Sequence, residues 1–366
     1  MLKYDCKNFS GDRPCVYHKN HKIVCDNCTN YSPIKNKILI IKLDAIGDVL
    51  RTTSILKPLR DKYPDYHITW LTRKNAKDLF NGNKFVDEVL TLDSETDYFL
   101  RSLFFDIVIN LDNSKLSASI ASSINSNEKI GFVLDKKGYV LPTNPKADYW
   151  LNLSAFDTLK KQNQLTYQEI MYSILDFNYK VERPVLVLDE NNSDFIANKL
   201  RLDKSKLIIG LNIGVGPKWP NKGWPLHKWE ELIYSLSNHN YELILLVGPD
   251  EKNLNEYLTN KFNFLRTSGC DNSLTEFAEI INICDLVVTC DSLALHICTA
   301  LGKKTVVLFG PTSFNEIELY GDGVKISADD ECKCFYNRKC TEENSCMEKI
   351  SSDKVLDAIS TLLDNS

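Results

Sequence analysis

The stretch Leu286–Gly321, LVVTCDSLALHICTALGKKTVVLFGPTSFNEIELYG, decides the fold. An apolar run ends at Cys290-Asp291-Ser292, a helical pattern opens, and a second apolar run ends at Gly310-Pro311-Thr312-Ser313. This is strand, polar turn, helix, strand, polar turn, the unit from which parallel α/β sheets are assembled. The turn at Asp291 places backbone N–H groups and the positive end of a helix dipole at one mouth of a sheet, a place suited to a phosphate or diphosphate. A second fragment, GDVLRTTSIL at 47–56, repeats the architecture near the other end of the chain. Two such halves point to a cleft enzyme that handles an activated, phosphate-bearing donor.

Working outward, Lys37–Leu43 (KILIIKL) reads as a buried strand, continuous and rich in Ile. A helix is expected from about Asp48, with Val49, Leu50, Ile55, Leu56 and Leu59 inward. Further strands are expected at His67–Leu71, Val86–Leu92, Asp106–Leu111 and Lys129–Val133, with helical patterns between them. Asp148–Tyr179 reads as wholly helical, and Val181–Asp189, which contains Pro184, as the passage between domains. A second alternation has strands at Leu207–Ile213, Tyr241–Val247, Asp285–Thr289 and Thr305–Phe309. Its helices are expected at His227–Asn238, Asn253–Lys261, Leu274–Cys284 and Leu293–Leu301, with a last one over Ser352–Leu363. The domain reading is a cysteine-rich module at 1–36, a Rossmann-like acceptor domain at 37–180, a Rossmann-like donor domain at 181–350 and a terminal helical segment at 351–366.

At 366 residues the chain is long enough for two substantial cores. A hydrophobic fraction of 43% against 25% charged residues is an ordinary globular balance. The net charge of −5 gives no global attraction to nucleic acid. Residues 1–36 run the other way and carry +3. Their plain reading is a solvated surface; the sharper one is peripheral contact with an anionic membrane or acceptor. No apolar run approaches the roughly 18 residues of a membrane span. The amino terminus, MLKYDCKNFSGDRPC, has no apolar core of a signal peptide. The expected location is the cytoplasm, where thiols stay reduced.

Four segments together resemble glycosyltransferase family 9, the heptosyltransferases: KLDAIGDVLRTTSILKPL (42–59), WPNKGWPLHKW (219–229), VGPDE (247–251) and the stretch quoted first. The resemblance covers roughly residues 37–350. It implies an α/β fold of the GT-B type, two facing Rossmann-like domains with an interdomain cleft, here with cysteine-rich segments added at both ends. It also implies inverting transfer of a sugar from a nucleotide diphosphate, typically ADP-heptose, without an essential divalent metal; the chain shows no convincing DxD motif. The acceptor would be a hydroxyl of a glycan, a lipid-linked glycan such as a lipopolysaccharide core, or a protein serine.

The resemblance makes Asp48 the general base. A sugar or side-chain hydroxyl is a poor nucleophile near neutral pH, and a carboxylate within hydrogen-bond reach takes its proton as the new bond forms. An Asp at this place also serves as a helix N-cap, and the two roles can coexist. Gly47 before it lets an acceptor approach; Arg51 and Thr52 are assigned with it to the acceptor side, core packing or solvation being the alternatives for them and for Thr53. Lys222, aligned with the family's lysine before Trp224-Pro225, is the second catalytic candidate, because a departing nucleoside diphosphate gathers negative charge that a fixed ammonium stabilises. An exposed loop lysine is its plain alternative. Lys218 is a weaker stand-in, and Trp219 stacks on the base or covers the core.

On the donor side, Asp291, Ser292 and His296 form one group, His296 lying a helical turn beyond Ser292 on the same face. Many heptosyltransferases read Asp-Thr-Gly here, whereas this chain reads Asp-Ser-Leu; Leu293 stands where a glycine would let the backbone meet phosphate, which leaves a sugar other than heptose open. Gly214 and Gly216 follow a strand and admit ribose or phosphate. Glu251 holds a ribose hydroxyl, and Thr312 reaches the donor sugar. Local loop chemistry is the competing account of Gly214, Gly216 and Glu251.

The twelve cysteines are unevenly placed. Cys6, Cys15, Cys25 and Cys28 (C-x8-C-x9-C-x2-C) precede the first domain, with His18 and His21 among them. Cys332, Cys334, Cys340 and Cys346 (C-x-C-x5-C-x5-C) follow the last strand, a spacing similar to the cysteine-rich finger of the autotransporter heptosyltransferase branch, where iron is bound. In a reducing compartment each cluster is expected to hold structural Zn or Fe, with free thiols or disulfides as alternatives and no catalytic role. Cys270, Cys284, Cys290 and Cys298 read as small buried hydrophobes. Two other functions compete: a nucleotide-sugar epimerase or hydrolase, since paired Rossmann-like domains serve those chemistries too, and a metal-stabilised binding protein built on the basic amino-terminal module.

Overall fold

Ile38, Leu39, Ile40 and Ile41 are fully buried on both faces of one strand, as a continuous apolar run requires when helices cover both sides of a sheet. The computed structural model describes residues 1–189, 192–328 and 332–364, and the last two residues of the terminal segment 351–366 lie outside the described residues. The strands are β1 (Asn36–Ile41), β2 (Tyr66–Thr72), β3 (Glu88–Thr91), β4 (Phe104–Asn110), β5 (Asn125–Leu134), β6 (Val140–Pro142), β7 (Leu207–Asn212), β8 (Tyr241–Leu246), β9 (Arg266–Thr267), β10 (Leu286–Cys290), β11 (Lys304–Phe309) and β12 (Gly323–Ser327). The helices are α1 (Val16–His21), α2 (Ile46–Thr52), α3 (Leu56–Lys62), α4 (Ser94–Arg101), α5 (Lys115–Ser123), α6 (Pro145–Ala155), α7 (Asp157–Gln162), α8 (Tyr167–Ile174), α9 (Asn192–Lys199), α10 (Leu226–Leu236), α11 (Lys252–Lys261), α12 (Leu274–Asn282), α13 (Leu293–Leu301) and α14 (Ser352–Asp364).

The chain divides into two compact units. The first comprises Met1–Leu43, Leu56–Thr72 and Lys84–Asn144. Its sheet has the order β3-β2-β1-β4-β5-β6. It is parallel except for β6, which runs antiparallel to β5 with Phe132 opposite Pro142; a proline is tolerated there because an edge strand can lack a donor. Leu39, Ile41, Leu71, Phe105, Val108 and Ile120 form its core. A buried ion pair, Lys42 with Asp112, closes the end of β1, and Asp112 also accepts the Leu43 N–H at 2.6 Å.

The second unit comprises Asp44–Ile55, Arg73–Asn83 and Pro145–Ser366. Its sheet, β12-β11-β10-β7-β8-β9, is parallel throughout. The core gathers Leu211, Trp224, Trp229, Leu232, Leu245, Val288, Leu308 and Ile359. Pairing starts at Leu207 opposite Tyr241 and at Leu286 opposite Ile209, so β7, β8, β10 and β11 all point their carboxyl ends toward one rim.

Three expectations need correction. Segments 44–55 and 73–83 and helices α6–α8 belong to the second unit, so the grouping 37–180 is not a single compact body; α2 buries Val49 and Leu50 there, and the Tyr172 hydroxyl donates to the Ser54 carbonyl at 2.6 Å. Asp148–Tyr179 is not one helix. It breaks after Ala155 and again at Asn163, whose side chain accepts the Leu165 N–H at 3.1 Å and donates to the Leu165 carbonyl at 2.8 Å, a turn that competes with helix. Thr166 and Glu169 then form a reciprocal capping box that starts α8. Finally, β6, β9, β12 and α9 are additional elements.

Candidate active site

The rim of the second sheet collects the polar ends of three strands. β7 ends in Asn212, β10 passes into Asp291-Ser292, and β11 into Gly310-Pro311-Thr312. Loops at the carboxyl ends of parallel strands are where open α/β sheets place ligands. Asn212 is buried and its amide donates to the Gly214 carbonyl at 3.0 Å, to the Thr289 hydroxyl at 3.0 Å and to the Ser292 hydroxyl at 3.1 Å. The Ser292 hydroxyl is therefore held sideways and does not cap α13, which starts without a side-chain cap. The first-turn amides of α13 lack that competitor, the condition for meeting an anion.

Lys222 sits beside this turn, on a one-turn helix at Pro220–Lys222. Its Nζ lies 2.7 Å from Asp291 Oδ2 and 3.4 Å from the Asp291 carbonyl, and both side chains are about five-sixths buried (17% and 16% exposed). Burial opposes the charge of Asp291, but Lys222 outweighs it and holds the carboxyl below its ordinary value. His296 is buried on α13, and burial, then the nearby Arg51 cation, push it down to about 4. It is a neutral imidazole near pH 7.

α2 brings Asp48 to the same place. Gly47 packs directly on the His296 ring, so a Cβ there would collide with it. Asp48 is the third residue of α2 and not its N-cap; Ala45 holds that position, and Asp48 Oδ2 accepts the Ala45 N–H at 3.3 Å. Asp48 Oδ1 accepts from Arg51 Nε at 2.9 Å and pairs with Arg51 Nη2 at 2.7 Å. Arg51 is buried and stacks on Tyr167, its guanidinium carbon 3.7 Å from the ring centre. Thr52 is fully buried, its hydroxyl 2.6 Å from both the Asp48 carbonyl and the Tyr167 hydroxyl.

The remaining expected residues fall into two sets. Thr312 is buried beside Asp291, and a cavity of about 270 Å³ opens next to it, lined by Gly310, Ser313, Phe335, Cys332 and Cys346. Glu251 lies against Gly214, where a Cβ would meet its carboxylate, and accepts the Gly248 N–H at 3.0 Å. Trp219 is half-buried and meets Tyr336 edge-on at 6.1 Å, covering the loop. Lys218 is exposed, Gly216 has φ +71° in open space, and Leu293 is half-buried at the first turn of α13. Sequence reasoning missed Tyr167, Glu316, Lys160 and Tyr336. Glu316 is buried 3.6 Å from Lys160, and burial raises its carboxyl despite that lysine and Arg51. Lys160 also lies 4.0 Å from the Tyr336 ring centre. None of these four carries a local pattern; their meeting is a property of the fold.

The cysteines gather in two places. Cys6, Cys15, Cys25 and Cys28 line one cavity of about 410 Å³ together with His18, whose Nδ1 lies 3.0 Å from the Ile23 carbonyl. Cys332, Cys334, Cys340 and Cys346 line another of about 310 Å³. There Cys332 and Cys346 stand with sulfurs 3.5 Å apart, and Cys334 accepts the Thr341 N–H at 3.2 Å. Cys340 and Thr341 draw the Cys334 thiol down, whereas burial and Cys332 push Cys346 up to about 12. Among the described residues no three metal-ligating side chains meet as a formed metal centre. Cys284, Cys290 and Cys298 are buried as expected, and Cys270 is half-buried. Among the described residues no helix is long and apolar enough to cross a membrane.

Two Rossmann-like units, with a lysine, a helix amino terminus and a carboxylate gathered at one sheet rim, define a glycosyltransferase of the GT-B class. Comparison with known proteins gives the family. Residues 99–348 match glycosyltransferase family 9 (heptosyltransferase), and the chain belongs to it. Lipopolysaccharide heptosyltransferase 2 of Salmonella typhimurium is 23% identical over 295 residues, covering 76% of this chain and 83% of that protein. The crystal structure of a family 9 glycosyltransferase from Veillonella parvula superposes with a TM-score of 0.75 at 19% identity, covering 90% of this chain and 98% of the other. ADP-heptose lipopolysaccharide heptosyltransferase II of E. coli gives 0.66 at 23% identity, covering 90% and 99%.

Proposed function

We propose that this chain transfers heptose from ADP-heptose to a hydroxyl of a lipopolysaccharide core glycan, with inversion at the anomeric carbon. The acceptor oxygen attacks that carbon, its proton passes to the Asp48 carboxylate, and the bond to the diphosphate breaks with its electron pair leaving on ADP. Lys222 and the first-turn amides of α13 receive the charge that develops on the leaving group. The observation that carries the reading is the packing of Gly47 on His296. It puts the helix bearing Asp48 against the helix whose amino terminus, beside Lys222, suits a diphosphate. The names of the relatives support the donor and the acceptor class. The basic residues of 1–36 suit a protein that works at an anionic membrane surface on the cytoplasmic side.

The test is turnover of ADP-heptose with a lipopolysaccharide core acceptor, products read by mass spectrometry. Asp48→Asn should cut transfer by about 10²–10⁴ while ADP binding stays unchanged. Normal transfer by that variant removes Asp48 from the chemistry. A free sugar formed in proportion to enzyme-consumed donor, with no glycosylated acceptor, would instead mark a hydrolase.

The two cysteine clusters are proposed as structural metal sites. Four thiols are the donor set that tetrahedral zinc or iron takes, and an N–H bond to sulfur, as from Thr341 to Cys334, suits a thiolate. The amino-terminal module has a further need, since its helix α1 buries no side chain at all. Metal analysis of purified protein checks this: wild type should carry metal that Cys25→Ser/Cys28→Ser and Cys332→Ser/Cys346→Ser each reduce, and metal-free wild type would end the proposal.

A further inference from the structure

Arg51 was assigned to the acceptor side, yet its surroundings describe another task. Its guanidinium is held at one edge and on one face. Nε and Nη2 reach one oxygen of Asp48 at 2.9 and 2.7 Å. Its flat face lies 3.7 Å from the centre of the Tyr167 ring. The side chain is only 11% exposed. Tyr167 is itself fixed: it is fully buried, stands edge-on to Trp150 at 5.6 Å, shares a 2.6 Å bond with the Thr52 hydroxyl and donates its N–H to the Glu316 carbonyl at 3.0 Å. The loop closes because Thr52 in turn donates to the Asp48 carbonyl. Residues three apart on one helix turn face each other, so Asp48 and Arg51 meet without strain.

From this geometry we infer that Arg51 is a positioning residue for Asp48, with Tyr167 as its platform, and that it does not bind the acceptor. The inference rests on Asp48 acting as the base. A carboxylate on a short helix has several rotamers; a planar guanidinium clamped on an aromatic ring selects one of them and keeps the group ionised. Lysine offers neither the planar fork nor the stacking face. The charged groups around the clamp are Asp48, Asp291 and Glu316, with neutral His296 on α13 and Lys222 beyond. Burial works against the Arg51 charge, but these acids outweigh it and keep the guanidinium protonated.

The experiment uses the full chain with ADP-heptose and a lipopolysaccharide core acceptor, and in parallel follows the carboxyl titration of residue 48 by carbon-13 NMR, Asp48→Asn giving the assignment. Arg51→Gln should lower kcat about tenfold to a hundredfold with both KM values little changed, and shift the acid limb of the activity profile and the carboxyl titration to higher pH. Added guanidinium ion should restore part of the loss. Tyr167→Leu should act in the same direction, Tyr167→Phe much less, and Arg51→Lys, which keeps the charge and guards against a folding artefact, should lose rate without the titration shift. A raised acceptor KM with unchanged kcat and unchanged titration overturns the inference, as does no effect at all. Inactive Asp48→Asn beside unaffected Arg51→Gln would remove this inference alone; active Asp48→Asn would remove the base itself.

Discussion

Lys222 and Asp291 are each other's main electrostatic partner, 2.7 Å apart and mostly out of water, so a substitution at either tests two things at once. Truncating the lysine leaves a buried carboxylate unpaired, which costs about 3–5 kcal/mol where burial is complete and less here. In the proposed reaction it also removes the cation that faces the leaving group, an effect of about 10²–10³ in kcat. Lys222→Met should show both losses. Lys222→Met/Asp291→Asn should recover most of the stability in a urea melt but none of the turnover; recovery of turnover would make the lysine structural. His296 gives a pH signature. The unfolded chain protonates it near its ordinary 6.5, whereas the folded protein refuses the proton until about 4. The unfolded state therefore binds more protons in that window, and the stabilisation, complete above pH 6.5, is lost as pH falls toward 4. At about 1.4 kcal/mol per unit the loss reaches about 3 kcal/mol. Raised Glu316 titrates with the opposite sign, so the test is a difference: urea midpoints between about pH 7 and pH 5 should fall less for His296→Gln than for wild type. Parallel slopes would show that His296 titrates normally.

At the scale of elements, α2 packs directly on α13, with Gly47 against the His296 ring. Gly47 is buried without a positive φ, so its need is for space and not for backbone freedom. Gly47→Ala should destabilise the protein by about 1–3 kcal/mol through overpacking on the imidazole. Gly47→Ala/His296→Ala should regain part of that in thermal melts, because the ring that the methyl strikes is gone. Additive losses would mean that the two helices do not press on one another. Much of this level was legible beforehand. The Ile-rich run of β1 and the apolar run of β10 read as buried strands because both faces are covered, and the helical pattern that opens after Cys290-Asp291-Ser292 matches α13, which ends at Gly302 with φ +66°. What escaped was short or long-range. β6 has three residues and β9 two, too few for any period to appear. Tyr167 is more than a hundred residues from Arg51, and no local rule joins a helix start at 166–167 to a guanidinium on α2. Asp48, Arg51 and Thr52 are singled out through the family resemblance, whereas the Tyr167 ring that Arg51 stacks on has no signal in the sequence.

The whole molecule is not cut where its sequence suggests. Residues 44–55 lie between two segments of the first unit, yet they pack as part of the second. They supply that unit with Val49 and Leu50, with the Gly47 surface under His296 and with the partners of Tyr167 and Tyr172. A parallel sheet announces its strands through apolar runs, but which body claims a connecting helix depends on surfaces that meet only after folding. This makes the integrity of the second unit testable. A fragment of residues 145–366 contains every strand of the second sheet. It lacks α2, so the buried His296 face of α13 and the hydroxyls of Tyr167 and Tyr172 lose their cover and their bonds. Burying those tyrosine hydroxyls without partners costs about 1–3 kcal/mol each, so they should turn to water and loosen α8. The expected result in hydrogen exchange is native-like protection of β7, β8, β10 and β11 with strongly reduced protection of α8 and α13. The proposed ADP binding at the amino terminus of α13 should weaken in the same fragment. If α8 and α13 exchange as slowly in the fragment as in the intact chain, then α2 merely rests on a finished surface, and the anchoring of Asp48 must be sought elsewhere.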